Sequence, residues 1–199
     1  MTEAEAKRLD EILESEEVDH TEADLELILR TIRQHPDETY RHNSMRQLMC
    51  WDERGERARA VLLEAVREWN HSSDTKSELL EVIQNLMFSD DEMVDAIAEH
   101  IHDRGYFVAD GVAYTLGVLG NPTPKALHAL ENALNTGPHY WAEDFIRASA
   151  AWSLGNLGVS TPSILLGLHY LARRADATSK EVEAATEALE KLTPKPQQG

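Results

Sequence analysis

A chain of 199 residues can bury a sizeable core, and its length allows one repeat array or two small domains. Its 36 acidic and 19 basic side chains leave a formal charge of −17, which opposes binding to nucleic-acid backbones and anionic membrane surfaces and suits either plain solubility or a basic protein partner. Cys50 is the only cysteine, so an intrachain disulfide and an all-cysteine metal site are excluded; with no leader-like segment and no run of eighteen apolar residues, cytoplasmic is the default location.

In chain order, residues 3–15 make a helix with a narrow apolar stripe, Ala6, Leu9, Ile12 and Leu13, prone to fraying. Thr21 caps a helix over 21–34, with Asp24 at the capping-box position and Pro36 as the stop. A helix from Tyr40 through Trp51 and another carrying Ala58, Val61, Leu62, Ala65, Val66 and Trp69 form a first pair, over about 40–69. Cys50, between Met49 and Trp51, reads as a buried thiol. The stretch 70–74 is a linker, with Asp74 or Thr75 capping the helix after it. The second pair covers about 75–102: Leu79, Leu80, Ile83, Leu86 and Met87 mark its first helix, and Ser89 with Glu92 reads as the capping box of the second, which runs to Ile101.

The next two pairs, about 107–135 and 141–174, carry an internal repeat. Ala113, Leu116, Gly117, Leu119, Gly120, Pro124, Leu127 and Leu130 recur thirty-eight residues later as Ala151, Leu154, Gly155, Leu157, Gly158, Pro162, Leu165 and Leu168. Pro124 and Pro162 fit first helical turns capped by Thr123 and Thr161. Gly120 and Gly158 fit helix-ending positions where a left-handed backbone is cheap. Gly117 and Gly155 lie inside helices, where glycine costs about 1 kcal/mol relative to alanine, so they predict close helix packing. A last helix covers 178–192, and 193–199 is a disordered tail.

The series Ala113-x-x-Leu116-Gly117-x-Leu119-Gly120-Asn121-Pro122 followed by Ala126-Leu127-x-x-Leu130, with its counterpart from Ala151 to Leu168, resembles the HEAT-repeat class, in particular the short repeats of phycobilisome-lyase-like proteins. The resemblance implies an all-α superhelix, an α-solenoid of about four helical hairpins in one domain over 1–192, with 21–34 and 178–192 as terminal capping helices. It also implies inner helices that present a recognition surface. The chain departs from the family at Asn121-Pro122 in one repeat and Val159-Ser160 in the next, where an Asp-Pro turn is common, and its second helices lack a frequent arginine.

No residue pattern points to catalysis, and no cofactor or metal is expected. His100 and His102 stand two apart, about 200 degrees around a helix, and no H-E-x-x-H pair occurs. Glu143 and Asp144 read as first-turn acids of a helix starting near 141. The candidate partner-binding residues are Tyr114, His139, Tyr140, Trp141 and Trp152, either an aromatic platform or plugs between repeats. The expected function is that of a non-enzymatic adaptor, monomeric or weakly self-associating, for a protein partner that the acidity would match if basic. The alternatives are a lyase-like accessory to a chromophore-bearing protein and a nucleic-acid-repair solenoid, the latter disfavoured by charge.

Overall fold

A computed structural model describes residues 1–14, 21–50, 55–135 and 143–193; the side chains of Cys50, Tyr106 and Glu143 fall outside this description, as do the expected burial of the Cys50 thiol and the tail beyond Thr193. The described residues form eleven helices and no strand: α1 (Glu3–Glu14), α2 (Glu22–Gln34), α3 (Glu38–Cys50), α4 (Glu56–Glu68), α5 (Ser73–Leu86), α6 (Asp91–Ala98), α7 (Tyr106–Leu119), α8 (Pro124–Leu134), α9 (Glu143–Leu157), α10 (Pro162–Arg173) and α11 (Ser179–Leu192). The chain divides into two compact units, Met1–Phe88 and Ser89–Gly199.

In the first unit α3 packs on α1, α2 and α5, while α2 packs on α1 and α4. Leu9 and Ile12 are fully buried, and Arg8 closes a two-pronged pair on Asp24 through Nε and an Nη, each at 2.8 Å. Asp24 is also the third residue of a complete capping box, because Thr21 Oγ1 accepts from the Asp24 N–H while the Asp24 carboxylate accepts from the Thr21 N–H at 2.9 Å. An aspartate in place of the usual glutamate therefore both caps α2 and anchors α1.

Several local expectations are corrected. Helix α3 begins at Glu38, two residues before Tyr40. Ser72, not Asp74 or Thr75, caps α5 by accepting from the Thr75 N–H; Thr75 is itself buried, so the helix must start early enough to carry it inward. Trp69 and Met87 end their helices with left-handed backbones, φ 43° and 55°, and Met87 is exposed rather than part of the α5 face.

In the second unit, successive odd-numbered helices α7, α9 and α11 pack side by side, as do the even-numbered α6, α8 and α10. Asp90, not Ser89, caps α6 by accepting from the Met93 N–H. The helix ends at Ala98, so His100 and His102 lie in turns beyond it. Thr123 and Thr161 cap α8 and α10 with prolines in the first turn, and Gly120 and Gly158 adopt φ of 70° and 69°.

The internal glycines fulfil the packing expectation. A Cβ on Gly117 would stand 2.7 Å from the Cα of Ser153, and one on Gly155 would stand 2.8 Å from the Cα of Ala188. The same small-residue approach thus seats α7 on α9 and α9 on α11. Helix α11 continues the odd-numbered layer by the same contact that builds it.

Candidate functional site

The close approach at Gly117 has a direct effect on the residues beside it. Ser153 Oγ donates to the Ala113 carbonyl oxygen at 2.7 Å, and one turn earlier Ser149 Oγ donates to Asp110 Oδ1 at 2.5 Å. These bonds fix the register of α7 against α9 and bring Tyr114 and Trp152 into a stack, with ring centroids 4.8 Å apart and planes inclined by 17°. Such stacking is favourable beyond the area it buries. Tyr114 stays 45 % exposed and Trp152 is half-buried, so the pair reaches the surface at the junction of α7 and α9.

Phe107 and Phe145 extend the same faces. Each lies seven residues, two helical turns, before Tyr114 or Trp152 and therefore shares its side of the helix. Phe107 is 66 % exposed and Phe145 41 %. They are separated by the same thirty-eight residues as Tyr114 and Trp152, a periodic signal that stands in the sequence ahead of the repeat blocks opening at Ala113 and Ala151. On the adjoining helix α11, Lys180 Nζ lies 4.7 Å from the centre of the Phe145 ring, within cation–π range. The remaining candidates, His139, Tyr140 and Trp141, lie outside the described residues.

The electrostatic framework behind this face has no local signature in the sequence. Arg147 of α9 is buried to 1 % exposure, with Nε 2.5 Å from Glu181 Oε1 and an Nη 2.5 Å from Asp144 Oδ1. Glu181 is fully buried and forms the capping box of α11 with Thr178. Burial alone would raise the Glu181 carboxyl, but the Thr178 N–H and the Arg147 guanidinium outweigh it and hold the group below its ordinary value of 4.5. Asp144, expected as a first-turn acid, therefore serves as an arginine partner as well.

In the first unit, His71 is buried although its stretch reads as a linker. Neither ring nitrogen has a hydrogen-bond partner among the described residues; burial first, then the nearby Arg41 charge, favours the neutral imidazole. Glu78 shifts upward because burial outweighs His42 and Arg46, whose nitrogens stand 3.6 and 3.5 Å from its oxygens. Among the described residues, no group of three or more His, Cys, Asp or Glu is placed to hold a metal ion, and no helix is long and apolar enough to cross a membrane.

No protein-family model matches the chain, and no curated protein matches it.

Proposed function

We infer that this protein is a non-enzymatic binding module of HEAT-like helical repeats that takes a protein partner on the α7–α9 face of its second unit. The observation that carries this reading is the repeated aromatic spacing: Phe107 and Tyr114 on one side of α7 and Phe145 and Trp152 on one side of α9, all at least partly open to solvent and joined by the Tyr114–Trp152 stack. Clustered, partly exposed aromatics suit partner binding, where Trp and Tyr contribute disproportionately. The charge of −17 favours a basic partner by raising encounter rates and supplying a complementary field.

Site-specific photo-crosslinking in the native cell tests the reading. A benzophenone amino acid at Phe107 should trap a discrete protein, whereas the same group at Leu166 on α10, similarly exposed, should not. Crosslinks from Leu166 alone would move the binding face away from α7 and α9. Crosslinks from neither position, in cells where the protein is abundant, would remove the binding reading.

A further inference from the structure

We propose that Tyr114, Trp152 and Asp110 form a seat for an arginine side chain of the partner; the proposal rests on the α7–α9 face being the binding face. Three observations converge on a planar cation. The stack of Tyr114 on Trp152 uses one face of each ring, and Tyr114, 45 % exposed, keeps ring surface open to solvent while the half-buried Trp152 backs it. Asp110 lies one turn before Tyr114 on the same side of α7 and is half-buried. Its Oδ1 is taken by Ser149 at 2.5 Å, while its Oδ2 has no hydrogen-bond partner among the described residues. A carboxylate held by one oxygen with the other available, beside an aromatic pair, offers a guanidinium both a ring face to lie on and an acceptor for its N–H groups.

Further along the same surface an ammonium already occupies such a position. Lys180 sits 4.7 Å over Phe145, two turns from Trp152 on α9, so the aromatic surface accepts a cation where the chain itself supplies one. At Tyr114 and Trp152 no described residue of the chain makes a cation–π contact, and the overall charge draws a cation in from solution. Arginine fits better than lysine because its flat, weakly hydrated group can stack and donate in a fork at once.

The test uses the whole 199-residue chain and a flexible Gly-Ser peptide with one central arginine, compared with the same peptide carrying citrulline or leucine. Titration is followed by NMR through the Tyr114 ring and Trp152 indole resonances. The arginine peptide should shift both rings and bind roughly fivefold more tightly than the citrulline peptide, the size expected for one cation–π contact with a charge-assisted hydrogen bond. Trp152→Leu should abolish that ratio while keeping apolar area, Tyr114→Leu should do the same at a more exposed position, and Asp110→Asn should reduce it. An arginine preference that survives both leucine variants would assign it to diffuse acidity and overturn the seat. Equal binding of arginine and leucine peptides would also overturn it, while leaving an apolar partner on the same face. If no peptide shifts either ring, the seat is overturned, and the crosslinking outcome at Phe107 decides separately whether the face binds protein.

Discussion

Gly117 lies so close to Ser153 that a β-carbon on it would fall 2.7 Å from the serine Cα, a separation that backbone atoms cannot keep. Gly117→Ala should therefore force α7 and α9 apart. Overpacking of this kind costs about 1–3 kcal/mol, partly offset by about 1 kcal/mol of improved helix propensity. The more telling effect is geometric, because Tyr114 and Trp152 are stacked across that same contact. Near-ultraviolet circular dichroism should lose the signal of the coupled rings even where urea denaturation records only a modest loss of stability. A variant with an unchanged near-ultraviolet spectrum would show that Gly117 does not set the ring spacing.

Arg147 and Glu181 form the second inter-helix constraint, from α9 to α11, with both side chains buried and 2.5 Å between Nε and Oε1. Arg147→Ala leaves the glutamate buried without its counter-charge and should cost about 3–5 kcal/mol. Replacing the pair together, Arg147→Met with Glu181→Leu, should recover part of that loss because neither charge then has to be desolvated. Recovery is incomplete, since Glu181 also completes the capping box at Thr178. Urea unfolding of the two single variants and the double variant gives the coupling directly, and additive losses would contradict a shared buried pair.

The same pair sets a pH dependence with a definite sign. Glu181 is held below its ordinary 4.5 in the folded protein, so the unfolded chain binds the proton more readily. Its contribution is fully present above 4.5 and is lost as the pH falls through the lowered folded value. Asp24, pinned by Arg8 and by the Thr21 N–H, is shifted in the same direction in the first unit. Stability measured by urea midpoint should decline as the pH falls below the ordinary carboxyl value of 4.5, and Glu181→Gln should be less stable at neutral pH yet show a shallower decline. A decline as steep as that of the unsubstituted protein would remove Glu181 from the account.

The range of each interaction decides how far it can be read from sequence. Thr123, Pro124, Thr161, Pro162, Gly120 and Gly158 announce themselves because their requirements are local: a side-chain acceptor, a fixed φ, a left-handed backbone. Gly117 and Gly155 are legible through recurrence, since an unfavourable residue repeated at one place in a helix implies a neighbour too close for a side chain. Caps are ambiguous where several candidates stand in a row, at Ser72-Ser73-Asp74 and Ser89-Asp90. There the choice is made by which residues must turn inward, such as Thr75 and Met93. Arg147 and Glu181 lie thirty-four residues apart, and a lone charge in an acidic chain reads as surface until its partner is known. Phe107 and Phe145 have the period but lack the flanking alanine, leucine and glycine pattern that marks Tyr114 and Trp152.

Thr123 and Thr161 offer a controlled comparison, because each caps a helix that opens with proline and each sits at the same place in the repeat. Loss of either hydroxyl should cost about 1 kcal/mol as a cap. Thr123 does more than cap, since its Oγ1 donates to Asp95 Oδ1 at 2.6 Å and ties α8 to α6, while the corresponding bond from Thr161 to Glu131 is long at 3.3 Å. Beside it, Asn121 Nδ2 donates to the Ser89 carbonyl oxygen at 2.8 Å and to Asp91 at 2.9 Å. The Asn121-Pro122 turn is thus bound to the start of α6. Thr123→Ala removes the cap and a charge-assisted inter-helix bond, for which a further loss of about 1 kcal/mol is expected. Thr161→Ala should stay near the cap value alone. Thermal or urea denaturation of the two variants under one condition measures the difference, and equal losses would mean that the Thr123–Asp95 bond adds nothing to the packing of α6 and α8.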